Sequence, residues 1–170
     1  MKNENMRLIE IMDHKNYNQD WPIIERNAVR AIIRNKNKIA LIKSYREGFY
    51  KFPGGGIEKG ESHIDTLIRE TQEETGLIIQ EHSVKELGFF VEKRKSLFEE
   101  AIFLQNSYYY LADVEDKITE THLEGYEIDL DYRLEWIDLL DAIQLNQTYK
   151  GLEYSFVERE TIVLNFLLKK

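Results

Sequence analysis

Three carboxylates, Glu70, Glu73 and Glu74, stand close together in a segment that reads as helix. At about 3.6 residues per turn, Glu70 lies one turn before both of the others, so all three side chains can reach one point. Like charges at that spacing cost an isolated helix roughly 0.2–0.5 kcal/mol per pair. One reading is a solvated acidic helix face. The chemical reading is a compensating cation: hard ions such as Mg2+ and Mn2+ take carboxylate and backbone oxygens and keep part of their water. Just upstream, three consecutive glycines follow Pro53. Gly54-Gly55-Gly56 cannot be a strand interior, and such a run lets backbone amides and carbonyls approach a ligand closely.

The helix that carries the carboxylates has legible ends. Ser62 is a good N-cap, and Asp65 three residues on approximates a capping box, with Asp where Glu or Gln is usual. Gly76 suits the left-handed position that closes a helix. The spacing predicts a helix over Ser62–Thr75, with Ile64, Leu67, Ile68 and Thr71 on its core face.

Around it, Leu8, Ile9, Ile11 and Met12 read as a short strand or docked arm. Ala28–Ile33 and Lys38–Lys43 read as a hairpin about Asn35-Lys36-Asn37. A short aromatic strand, Gly48–Phe52, enters the glycines, and two long strands are expected at Val84–Val91 and Ala101–Asp113. Glu115–Asp131 is acidic and turn-rich. A strand at Tyr132–Ile137, a short helix near Asp138–Leu145 and a terminal helix near Tyr154–Leu168 complete the chain. The expectation is an α/β protein with a mixed sheet, in which residues 1–25 form an arm or strand and 26–170 one domain.

Composition narrows the chemistry. The 170 residues include 31 acidic and 23 basic side chains, a net charge of −8, which argues against a nucleic-acid partner held by phosphate neutralisation. There is no cysteine, so disulfides, thiolate metal sites and cysteine nucleophiles are excluded. No apolar run is long enough to span a bilayer, and Met1–Glu10 has no signal-peptide core, so a soluble, cytoplasmic protein is expected.

The string Gly55, five residues, Glu61, seven residues, Arg69-Glu70-Thr71-Gln72-Glu73-Glu74-Thr75-Gly76-Leu77 resembles the signature of the Nudix hydrolases. Every fixed position of that signature is matched over residues 55–77; Thr71 stands at one position that is usually aliphatic. The resemblance implies an α/β/α sandwich over roughly residues 26–170. It also implies metal-dependent hydrolysis of a nucleoside diphosphate linked to another group. In such proteins the three glutamates bind the metal, here Glu70, Glu73 and Glu74 with Mg2+ or Mn2+, and the carbonyl of Gly54 joins them. Arg69 and Glu61 then orient and brace, with Gly55 and Gly76 as structural support.

The general base in the family is a motif glutamate, here Glu73 or Glu74, or a carboxylate on a late loop. Glu73 or Glu74 is the first choice; on the late loop Glu124 and Glu127 are the candidates, Glu127 foremost, with Glu120 and Asp129 behind them, and each can equally be plain solvated charge. Lys43, Arg46 and Lys51 flank the glycines and could hold phosphate oxygens. Tyr45, Phe49 and Tyr50 could stack a base or serve as core, and His63 lies in the helix's first turn. The downstream proline of ADP-ribose hydrolases is missing, as is the tyrosine of dinucleoside polyphosphate hydrolases, where Lys93-Arg94-Lys95 stand. A small nucleotide substrate follows, of unspecified kind. The alternative is a nucleotide-binding sensor that does not cleave. Family members are often homodimers, and the N-terminal arm could contribute to one.

Overall fold

The computed structural model describes residues 6–151 and 154–170. The first residues of the expected arm, 1–5, and positions 152 and 153 lie outside the described residues. In chain order, β1 (Leu8–Asp13), β2 (Ile23–Ile32), β3 (Arg34–Asn35), β4 (Lys38–Ser44) and β5 (Tyr50–Lys51) precede α1 (His63–Thr75). After it come β6 (Leu77–Ile79), β7 (Lys85–Lys95), β8 (Ile102–Leu111) and β9 (Val114–Ile118). The last elements are α2 (Gly125–Asp129), β10 (Tyr132–Asp138), α3 (Leu139–Thr148) and α4 (Phe156–Leu168).

The largest sheet has the order β1-β7-β8-β2. β7 and β8 form an antiparallel pair, while β1 runs parallel to β7 and β2 parallel to β8, so the sheet is mixed. A second sheet is antiparallel, β10-β4-β3 with β5 also on β4, and β6 pairs with β9. β2 runs unbroken through residues 25 and 26.

The second half of β2 is buried on both sides because it is covered on both sides. Ile32 joins Phe90, Tyr109, Phe52 and the α4 residues Val163, Leu164 and Leu167. Val29, Ala31 and Ile33, of the opposite phase, pack with Leu67 of α1 and with Leu77 and Ile79. Helices on both faces of the sheet make the α/β/α layering. Among the described residues, no helix is long and apolar enough to cross a membrane.

The expected hairpin is shorter than its sequence pattern. Only Arg34–Asn35 pair with Ile39 and Lys38, across a turn where Lys36 takes φ +55°, and Ala28–Ile32 instead line up along β8. The acidic stretch 115–131 is not all turn, since it holds β9 and α2. β6 and β9 are short and find each other across the chain, which leaves no local periodicity to read.

α1 ends as its residues dictate. The Asp65 amide donates to Ser62 Oγ at 3.1 Å, and the Ser62 amide donates to Asp65 Oδ2 at 3.4 Å, closing the capping box. At the other end Gly76 takes φ +74° and its amide donates to the Gln72 carbonyl at 2.8 Å. A Cβ at that position would overlap the Thr119 carbonyl oxygen.

Candidate active site

Arg69 gathers the acidic side chains of α1. Its Nε and Nη2 donate to the two oxygens of Glu61 at 2.7 and 2.9 Å, a bidentate pair. Its Nη1 donates to Glu70 Oε1 at 2.8 Å and to Glu73 Oε2 at 3.2 Å. Glu61 also accepts from Thr66 Oγ1 at 2.8 Å. The Arg69 hydrogen bond, with Thr66 behind it, holds the Glu61 carboxyl down to about 2. Arg69 therefore ties the loop before α1 to the helix. One guanidinium facing three carboxylates leaves the cluster negative.

Glu74 is buried at 2% exposure. Its Oε1 accepts from Lys51 Nζ at 2.5 Å, and its Oε2 from the Gly54 amide at 2.8 Å. Lys51 also lies 5.1 Å from the centre of the Tyr132 ring. Glu70 sits over Gly55, where a Cβ would overlap its carboxylate. Burial pushes the Glu70 carboxyl up, Arg69 pulls it back, and the charges of Glu74 and Glu73 push it up again. The Gly54 carbonyl, expected among the metal ligands, accepts a hydrogen bond from Arg30 Nη1.

α2 delivers the late glutamate. Glu127 is its N3 residue, and its Oε2 accepts from the Glu124 amide at 2.9 Å. The end of α2 is pinned to β4, where Ser44 Oγ donates to the Leu130 carbonyl at 2.9 Å. Glu127 is 8% exposed, and burial raises its carboxyl, with the Glu74 and Glu70 charges adding to the rise. Its field thus overlaps those of the α1 carboxylates. Glu120, Glu124 and Asp129 remain exposed.

As the side chains stand, no three histidine or carboxylate groups among the described residues surround one point. The donor set nevertheless suits a hard divalent ion. All the donors are oxygens, Glu70 has room only because position 55 is glycine, and Glu70 and Glu127 are raised by burial and then by neighbouring negative charge that a cation would relieve.

Of the basic residues read from sequence, the structure brings Lys51 to the carboxylates and not Lys43 or Arg46. Lys43 Nζ is 3.8 Å from Glu135 and lies over the Tyr45 and Tyr50 rings. Arg46 is exposed, 3.9 Å from Glu47. Tyr45 and Tyr50 both donate to Glu135, and Phe49 is fully buried in an aromatic cluster. His63 Nδ1 is 2.7 Å from the Tyr110 hydroxyl, and His63 borders a separate recess with Gly56 and Glu61.

A cleft of about 300 Å³ opens beside Lys51, Gly54 and Gly55, and the sequence reading did not find it. Arg26, Arg30, Arg94 and Arg159 border it, with Tyr126, Tyr132 and Phe103 among its aromatic walls. Arg159 is buried, its Nη1 donating to Glu92 at 2.8 Å and its Nη2 to Glu160 at 3.0 Å. Arg94 Nε donates to Glu92 Oε1 at 3.1 Å. Arg26, Ala28, Arg30 and Ile32 share one face of β2, the face turned toward α4. Two arginines in phase with core residues were the available signal.

The NUDIX domain family profile matches residues 24–158. A stretch of 100 residues is 34% identical to the asymmetrical bis(5'-nucleosyl)-tetraphosphatase of Rattus norvegicus, covering 56% of this chain and 59% of that protein. Another of 54 residues is 46% identical to the ADP-ribose pyrophosphatase of Methanocaldococcus jannaschii, covering 30% and 32%. The chain thus spans less than two thirds of the length of these relatives. A NUDIX hydrolase from Nitrosomonas europaea superposes with a TM-score of 0.59 at 19% identity, over 86% of this chain and 92% of that one. By the profile match over most of its length, and by a fold shared with such a structure, this chain belongs to the NUDIX domain family.

Proposed function

We propose that the chain is a divalent-metal-dependent pyrophosphohydrolase that cuts the phosphoanhydride of a nucleoside diphosphate linked to another group. The observation that carries this reading is the seating of the α1 acids on the glycine segment: Glu74 accepts from the Gly54 amide, Glu70 lies against Gly55, and Arg69 holds Glu70 and Glu73 together. The names of the relatives, a tetraphosphatase and a pyrophosphatase, support the reaction class.

Glu70, Glu73 and Glu74, with the Gly54 carbonyl, would hold Mg2+ or Mn2+. When bound, such an ion neutralises phosphate charge and lowers the pKa of a coordinated water. The chain's own residues do the rest. Arg69 keeps Glu70 and Glu73 turned to one side, and Lys51 carries positive charge to the foot of Glu74. Glu127 takes the proton of the attacking water: its burial and negative neighbours raise its basicity toward what a general base needs near neutral pH. Its only hydrogen-bond partner among the described residues is the Glu124 amide, which leaves a second oxygen for that proton.

A second reading, a nucleotide-binding sensor, draws on the Lys51–Glu74 pair, which already satisfies that carboxylate within the protein. Hydrolysis assays with Mg2+ or Mn2+ over nucleoside triphosphates, dinucleoside polyphosphates and nucleotide sugars separate the two. The proposal expects turnover of at least one class. It also expects a loss of about 10²- to 10⁴-fold in Glu127→Gln, the range for a general base, and a comparable loss in Glu74→Gln. Nucleotide binding without product in either metal would favour the sensor.

A further inference from the structure

The cleft beside Gly54 and Gly55 holds more positive charge than its own acids neutralise. Among the described residues, Lys51 is paired with Glu74, Arg94 with Glu92, and Arg159 with Glu92 and Glu160. Among the described residues, Arg26 and Arg30 have no carboxylate within ion-pair distance.

Arg30 is 6% exposed, and while its Nη1 serves the Gly54 carbonyl, its buried Nε has no hydrogen-bond partner. A buried N–H without an acceptor is costly, and one beside an open cleft points to an acceptor supplied from outside. Arg26 lies on the same face of β2 at the open end of the cleft. Its Nη1 reaches Gln105 Oε1 only at 3.5 Å, and its Nη2 stands 3.2 Å from where a Cβ on Gly56 would be. Crowding and the neighbouring charge of Arg30 both press on its guanidinium. Two guanidinium groups on one strand face, neither in an ion pair among the described residues, can form a fork for an oxyanion, since the planar N–H edge of arginine matches phosphate geometry.

We propose that Arg26 and Arg30 clamp a phosphate group of the substrate beyond the diphosphate being cut, so that nucleoside polyphosphates are preferred over nucleoside diphosphate sugars. This rests on the pyrophosphohydrolase reading. In a nucleotide sugar the two phosphates flank the scissile bond and both belong at the carboxylate cluster. A third phosphate is what remains for the arginines across the glycine segment. In a chain of net charge −8, this spot gives such a group its local attraction.

The test uses the whole chain and two readouts. In the first, kcat/KM is compared for a nucleoside triphosphate and a nucleoside diphosphate sugar in wild type, Arg26→Ala and Arg26→Lys. Arg26 is exposed, so its replacement spares the core, and unchanged thermal melting verifies the fold. The expected result is a loss of about tenfold or more on the triphosphate in Arg26→Ala, the scale of one charge-assisted hydrogen bond. Little change is expected on the sugar, and Arg26→Lys should recover only part, because a point charge lacks the fork. In the second, tripolyphosphate is titrated calorimetrically into chelator-treated protein, and Arg26→Ala should weaken its binding by a similar factor. Equal losses on both substrates, or tripolyphosphate binding that ignores Arg26, overturns the clamp. Arg26-dependent binding by a protein that hydrolyses nothing keeps the clamp and overturns the hydrolase reading instead.

Discussion

The Glu70 carboxylate lies against the backbone of Gly55, in the space that any side chain at that position would take. The loop and the helix are therefore matched at one point, and the acid's placement depends on the missing Cβ. Gly55→Ala is expected to displace Glu70, at little cost in stability because only the end of a flexible side chain must move, and to lower turnover at least about tenfold, the equivalent of about 1.4 kcal/mol in the transition state. Urea unfolding and initial rates on the same preparation check it. Full activity in the variant would show that the position of Glu70 is not needed.

The Lys51–Glu74 pair is buried on both sides, with side chains 7% and 2% exposed. Removing one member strands the other, and such breaks cost about 3–5 kcal/mol. Lys51→Met should therefore melt well below wild type in chelator. Adding Mg2+ or Mn2+ should raise the melting temperature of both proteins, and raise the variant's more, since a bound cation replaces the lost ammonium. If neither ion moves either melting curve, Glu74 is not a metal ligand.

Glu61 gives the pH prediction. Its carboxyl falls from an ordinary 4.5 to about 2 in the folded chain, through the Arg69 and Thr66 hydrogen bonds. A depressed folded value means the stabilisation is complete above pH 4.5 and is lost as the pH falls through 2. Wild type should melt above Glu61→Gln by a constant margin at neutral pH, and the margin should close over that acid window. A margin that stays flat down to pH 2 would remove the Arg69–Glu61 pair as its source.

Gly76 closes α1 in the left-handed conformation and faces Thr119. Alanine there takes an unfavourable φ, at about 1–3 kcal/mol, and also overlaps the Thr119 carbonyl. Gly76→Ala should be less stable by at least that range in chemical denaturation, whereas Gly48→Ala, with open space around it, should lose only the conformational part.

What could be read in advance was what is local. The caps of α1, its core face and the convergence of Glu70, Glu73 and Glu74 follow from spacing within one helix, and the structure has the same helix with the same ends. Residues whose role depends on the far side of a sheet were harder. In the β4–β5 pair, Lys43 lies opposite Tyr50 and Lys51 opposite Ile42. Neighbouring pairs point to opposite faces of the pleat, so two lysines that both precede the glycines in sequence part company. Arg26 and Arg30 carry no motif, and their phase acquires meaning only once α4 is known to cover that face. Glu127 was identifiable by its place before β10, but its burial comes from the turn of α2, which no periodicity announced.

β1 lies outside the span matched to the family, which begins at residue 24, yet it is hydrogen-bonded along β7 from Leu8 to Asp13. Its Met12, with Met6 just ahead of it, is buried in the interior. A version trimmed to the matched span would uncover the β7 backbone from Phe89 to Lys93 and empty two methionine sockets. An uncovered flank of that kind is a template for the next copy's strand, so shortening this protein at the family limit should trade a monodisperse preparation for one that self-associates.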